Sequence, residues 1–232
     1  MPILLNIDTA TENASVCITK EDIVLGIAEN ADQKNHAAFL QPAIQKLLGD
    51  TGVTFAEIDA VAVTAGPGSY TGLRVGMASA KGLCYALNKP LITVNTLEVM
   101  ALAAIQQDQL MANTSNITTY YCPMIDARRM EVFTAMYSSL LEEILSPAAM
   151  ILDEKSFTTE AEKQRIVFSG NGSEKLAGLI KAAGFVFSKV SHNATHLSAL
   201  AAQHFQKNQF ASLAYAEPVY LKEFFNTSKP SK

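Results

Sequence analysis

Two aspartates lead the side chains in this sequence that could do chemistry. Asp8, followed by Thr9 and Thr11, stands where an apolar run from Ile3 to Ile7 gives way to polar residues. A carboxylate there can hold a hydrated metal or reach a phosphate, or it can simply cap a turn. Asp126 ends a similar run 118 residues later and is followed by Arg128, Arg129 and Glu131. The chain has only four arginines, so two in one turn suit an anion or protein contact. Between the aspartates lies G-P-G-S-Y-T-G at 66–72, in a region, 66–82, that holds five of the twelve glycines.

The glycine loop supports two readings. Gly66, Pro67 and Gly68 can turn sharply, with Ser69 or Thr71 capping a following helix whose free amides would favour an anion. Residues 66–71 would then cradle a phosphate or acyl anion, although the loop lacks both the Lys-Ser/Thr ending of a P-loop and a dinucleotide fingerprint. Alternatively Gly72, Gly76 and Ala80, four apart, make a nearly side-chain-free helix face that another backbone can approach.

His192 and His196 have the spacing of two metal ligands on one helix face. The residues between them, N-A-T, lack the glutamate of H-E-x-x-H, and Asn193 and Thr195 place His192 ahead of the helix. No metal site is expected there. No serine sits in a G-x-S-x-G elbow and no cysteine has an evident histidine partner, so nucleophilic catalysis has no support.

The elements that must position these residues read as α/β. Strands are expected at 3–8, 14–18 and 23–28, then a helix from His36 to Leu48 ended by Gly49, with Pro42 moving its start toward Leu40. Ile58 to Thr64 is a strand, the glycine loop leads into a helix over 71–87, Leu91 to Val94 is a strand, and Thr96 caps a helix through Ala104. Residues 106–119 read as a connector. The grammar then repeats: Met124-Ile125-Asp126 echoes Asn6-Ile7-Asp8, and I-V-F-S-G-N-G-S at 166–173 echoes V-A-V-T-A-G-P-G-S at 61–69, which suggests a duplication.

Composition sets outer bounds. With 232 residues, 49% of them hydrophobic, the chain can build a real core in one large or two small domains. A net charge of −4 gives no broad footprint for holding nucleic acid unaided. Asn6 and Asp8 interrupt any signal-peptide core and no run is long enough to span a membrane, so a cytoplasmic protein is expected. Cys17, Cys84 and Cys122 read as buried thiols.

I-D-T-A-T (7–11), G-P-G-S-Y-T-G-L-R (66–74), I-D-A-R-R-M-E-V (125–132) and A-E-P-V-Y-L (216–221), in this order, resemble the TsaB (YeaZ) family. The resemblance covers the whole chain. It implies a duplicated actin-like fold (ASKHA, ribonuclease H-like) with two mixed sheets flanked by helices. It places a first half at 1–103, completed by about 213–232, and a second at 104–212. It also implies a non-catalytic scaffold for the TsaD transferase, which makes threonylcarbamoyladenosine at position 37 of tRNAs reading codons that begin with A.

TsaD and its relatives carry a metal-binding His-x-x-x-His where this chain has Thr96 and Met100, neither a good substitute for imidazole. No catalytic residue, metal or cofactor is therefore expected. The implied partner interface is the helix pair 36–48 and 71–87, represented by His36, Phe39, Leu40, Ala43, Leu47, Gly72, Leu73, Gly76, Met77, Ala80 and Leu83. The implied assemblies are a homodimer in isolation and a heterodimer with TsaD, joined by a TsaE-type ATPase, with tRNA reached only through the complex. Two other functions compete. One is an ATP-dependent kinase or transferase using Asp8 and the 66–71 loop; the candidate ligand-binding residues are Asp8, Thr9, Gly66, Gly68, Ser69, Asp126 and Arg128. The other is a glycoprotease-like metallopeptidase.

Overall fold

The computed structural model describes all residues except 22, 33–34, 112–117, 162–163 and 223–232. Strands β1 (Ile3–Asp8), β2 (Ala14–Lys20) and β3 (Ile23–Asn30) form an antiparallel meander, and β4 (Ala60–Thr64) and β5 (Leu91–Val94) add in parallel, giving the order β3-β2-β1-β4-β5. A second set repeats this order: β6 (Thr119–Asp126), β7 (Glu131–Tyr137) and β8 (Glu143–Ile151) make the meander, with β9 (Arg165–Ser169) and β10 (Phe185–Phe187) parallel to β6. The echo heard in the sequence is thus one topology used twice.

Helix α1 (His36–Thr51) starts where its apolar period starts and accommodates Pro42 inside. It runs through Gly49 and stops at Gly52, whose φ of 70° is a conformation glycine adopts without strain. Helix α2 (Tyr70–Leu87) is capped by Ser69, whose hydroxyl accepts the Gly72 amide. Helix α3 (Thr96–Leu110) is capped by Asn95 rather than Thr96, the Asn95 side chain accepting the Leu97 amide at 2.8 Å. It also continues into the expected connector, part of which, 112–117, lies outside the described residues. The shorter helices α4 (Thr158–Ala161) and α5 (Ser173–Leu179) precede α6 (Ala194–Gln206). No described helix is long and apolar enough to cross a membrane.

Strand β1 is apolar on both sides because both faces of its sheet are covered. Leu5 and Ile7 face α1 and α2 with Leu40, Ile44, Leu47, Met77 and Ala80, whereas Leu4 faces Leu197, Leu200 and Ala201 of α6. Each such fully buried aliphatic side chain contributes about 1.5–3 kcal/mol. Helix α6, grouped by the sequence with the second half, packs on the first sheet. Helix α3, grouped with the first, sends Leu97, Met100, Ala101 and Ala104 against Tyr121, Ile125 and Val167 of the second. The α3–α6 pair is therefore a shared layer between the two sheets.

Arg165 clamps α3 to β9 through a two-pronged pair with Asp108 at 2.6 and 2.7 Å, and the Tyr121 hydroxyl donates to the same carboxylate at 3.0 Å. The three cysteines are free and buried, and burial pushes the Cys17 thiol up to about 12.

Candidate functional site

The glycine loop is held by the chain's own backbone. The Thr9–Ala10 turn at the end of β1 lies against it: the Ser69 amide donates to the Ala10 carbonyl at 2.7 Å, and the Thr9 hydroxyl donates to the Gly72 carbonyl at 2.7 Å. A Cβ on Gly68 would come within 2.2 Å of the Ala10 oxygen, and one on Gly72 within 2.1 Å of the Thr9 oxygen. From the other side Val219 donates its amide to the Ala65 carbonyl at 2.7 Å, and the Tyr220 ring packs tilted against Tyr70 with centroids 5.4 Å apart. Gly66 turns here with φ 112°, before a cis bond to Pro67. Within the expected anion cradle at 66–71, the Gly66 and Ser69 amides are thus already bonded inside the chain.

Asp8 is likewise engaged. It is 1% exposed, and its Oδ1 accepts the Thr64 hydroxyl at 2.9 Å and the Ala10 amide at 3.1 Å. Its Oδ2 lies 3.3 Å from Nε2 of His192, off line for a hydrogen bond, so the contact is a charge pair when the imidazole is protonated. His192 precedes α6, as Asn193 and Thr195 suggested, and His196 sits in the first turn, completing a capping box with Asn193. The two histidines do not share a helix face.

Burial holds the His196 imidazole below the usual histidine value of 6.5, and the His192 charge adds to this. The Asn193 backbone and the carboxylates of Asp8 and Glu29 act in the opposite direction. A depressed folded pKa means that the unfolded chain binds the proton first. The stability contribution of neutral His196 is therefore present above about 6.5 and lost as pH falls through the folded value. His196→Gln, which keeps a capping side chain at that position, is expected to flatten the denaturation midpoint between pH 7 and 5. An unchanged slope would contradict this placement.

The two halves are stitched across their cleft by the β1–β2 turn. Glu12 accepts from Asn171 at 3.0 Å, and Asn13 donates to Ser191 at 3.3 Å. Beside the stitches lies a cavity of about 510 Å³ lined in part by Glu12, Met100, Asn171, Phe187, Lys189 and His192. Asp126, the counterpart of Asp8, is exposed, its Oδ1 accepting the Arg128 amide at 2.6 Å and Lys175 Nζ at 2.7 Å. The Lys175 hydrogen bond is the main cause holding its pKa below the usual carboxylate value.

Thr96 and Met100 are both buried, the Thr96 hydroxyl accepting the Gly66 amide at 3.2 Å and Met100 lying against Gly170. Among the described residues no three His, Cys, Asp or Glu side chains gather as a metal site requires.

Of the residues expected at a partner interface, His36, Leu40, Ala43, Leu47, Gly72, Leu73, Gly76, Met77 and Ala80 are buried inside the chain. Only Phe39 and Leu83 are half-exposed. The smooth Gly72-Gly76-Ala80 face is covered by the chain itself: the Thr9 backbone lies against Gly72, and the side chains of Thr9, Val63 and Ile7 lie against Gly76. The outward face of the same helix is made instead of Ala78, Gly82, Tyr85 and Ala86, beside Ala38, Gln41, Pro42 and Gln45 of α1. Gln41 Nε2 donates to Ser79 at 3.1 Å and ties the helices together. Ala78, Gly82 and Ala86 repeat at the same interval of four, so the signal for this second small-residue face was present in the sequence.

The family model described as tRNA N6-adenosine threonylcarbamoyltransferase (TsaD) matches residues 17–230. The tRNA threonylcarbamoyladenosine biosynthesis protein TsaB of Escherichia coli is 30% identical over 231 residues, covering 94% of each chain. The Bacillus subtilis protein of that name is 27% identical over 197 residues, covering 82% of each. Crystallised YeaZ from Pseudomonas aeruginosa superposes with a TM-score of 0.79 at 26% identity, covering 95% of this chain and all of that one. The doubled sheet topology is therefore the duplicated actin-like fold, and with matches to TsaB and YeaZ along nearly its whole length the chain belongs to the TsaB (YeaZ) family.

Proposed function

We propose that this chain is a non-catalytic subunit that binds a TsaD-type transferase in the biosynthesis of threonylcarbamoyladenosine on tRNA. The observation that carries the reading is the outward face of the α1–α2 pair. Ala78, Gly82 and Ala86 leave α2 nearly bare, and a Cβ on Gly82 would meet nothing within 4 Å. A pair of helices from a partner can lie close against such a surface, with Tyr85, 82% exposed, as an aromatic anchor at one end. The names of the E. coli and B. subtilis relatives supply the pathway. Buried Thr96 and Met100, in the places of the transferase's metal-binding histidines, support the lack of independent catalysis. The same face can pair with itself when the partner is missing, and a TsaE-type ATPase joins the complete assembly in the cytoplasm.

Gly82→Arg separates binding from folding. Arginine is a better helix former than glycine by roughly 0.5–1 kcal/mol, so the variant should melt no lower than the parent. Its side chain would stand in the path of the partner. In gel filtration with the transferase the parent is expected to co-elute and Gly82→Arg to elute apart. Co-elution of the variant, with the modified nucleoside undiminished in cells, would remove the helix-face proposal.

A further inference from the structure

Of the four arginines, two serve the chain's own structure: Arg165 is locked to Asp108, and Arg74 lies 4.5 Å over the Tyr70 ring. The other two, Arg128 and Arg129, stand exposed on the β6–β7 hairpin, where neither guanidinium has a partner among the described residues. The hairpin contains two carboxylates that could have quenched them. Both are taken: Asp126 by Lys175 at 2.7 Å, and Glu131 by Lys222. Lys175 also donates to the Glu131 carbonyl at 2.9 Å, bracing the turn. The hairpin thus carries two acids, each paired with its own lysine, and two arginines left over, in a chain whose net charge is −4.

Both arginines sit at positive φ, 70° and 47°, a conformation that asparagine or glycine adopts more readily. The Asp126 amide donates to Asn171 Oδ1 and the Arg128 amide to Asp126 Oδ1, which anchors the turn. The hairpin is also continuous with the proposed partner face. The segment after α6 is tied to α2 by Lys81, which donates to the Ala216 carbonyl at 2.8 Å, and by the Tyr220–Tyr70 contact. Two residues on, Lys222 reaches Glu131.

We propose that Arg128 and Arg129 contact the phosphodiester backbone of the RNA substrate, beside the transferase bound on α1 and α2. The inference rests on the proposed function above and names the substrate contact it leaves open. A guanidinium fork matches phosphate oxygens in geometry and charge. Two such contacts on an otherwise acidic chain are too few to hold RNA alone and gain strength when a partner supplies the rest.

The test uses the assembled complex with the transferase and an unmodified transcript of a tRNA that reads codons beginning with A. Binding is followed by fluorescence anisotropy from 50 to 200 mM salt. Arg128→Gln/Arg129→Gln is expected to leave co-elution with the transferase intact and to weaken RNA binding about tenfold at the lowest salt. The log–log salt slope should become shallower by roughly 0.7–0.9 for each guanidinium removed. Arg128→Lys/Arg129→Lys should keep most of the slope. Unchanged affinity and slope in an intact complex would overturn the RNA contact while sparing the subunit role. Loss of co-elution in the glutamine variant would reassign the hairpin to the protein partner. Failure of the unaltered chains to associate would overturn both readings.

Discussion

Leu73→Asp is expected to yield a chain that does not fold, rather than a folded chain that fails to bind its partner. Leu73 is 0% exposed and packs against Gly66 in the first turn of α2. Burying leucine there contributes about 1.5–3 kcal/mol. A carboxylate in its place would be fully buried and costs several kcal/mol more to desolvate. The sum approaches the ~5–15 kcal/mol that holds a whole domain together. Circular dichroism should show no cooperative melt, and the protein should elute as aggregate or be lost to the pellet. A soluble Leu73→Asp with a parental melting curve would mean that α2 presents its other side to solvent. Gly76→Leu should behave similarly, since its Cβ would lie 2.4 Å from the Thr9 hydroxyl that holds Gly72. Set beside Gly82→Arg, which alters the opposite side of the same helix, the pair distinguishes a structural face from a binding face.

Asp8→Ala is expected to destabilise the chain by about 3–5 kcal/mol, the usual cost of leaving one half of a buried polar network without the other. The Thr64 hydroxyl and the Ala10 amide would lose their acceptor and His192 its neighbouring carboxylate, at the junction where β1 meets the glycine loop. Asp8→Asn keeps the one oxygen that accepts from both Thr64 and Ala10 and should recover part of the loss. Urea denaturation of the three proteins gives the comparison directly. A midpoint for Asp8→Ala within error of the parent would show that the network contributes little and would reopen a ligand-binding role for the carboxylate.

Elements with a local cause were legible in the sequence. The β-branched runs of β1 and β4, the period of α1, and Ser69 ahead of α2 each act on neighbours a few residues away, and each lies close to where it was read. The orientation of α2 was not legible in that way. Gly72, Gly76 and Ala80 form one bare face and Ala78, Gly82 and Ala86 another, and composition does not say which meets the chain's own backbone. That choice is made by Thr9 and Ala10, about sixty residues earlier, through contacts with no local signature. The anion-cradle reading met the same difficulty, because part of a loop that reads as open is bonded to a distant turn. The two caps show a smaller ambiguity: Asn95 and Thr96 are both cap formers, and one residue of offset decided between them.

The exchange of α3 and α6 bears on how the protein is made. Strands β1 to β5 emerge first, but one face of their sheet needs Leu197, Leu200 and Ala201, which lie about a hundred residues downstream. At common elongation rates that interval lasts on the order of ten seconds, during which Leu4, Ile92 and Val94 lack their final cover. The nascent first sheet is therefore a natural client for chaperones, and the whole chain should pass from unfolded to folded in one concerted step once α6 has left the ribosome.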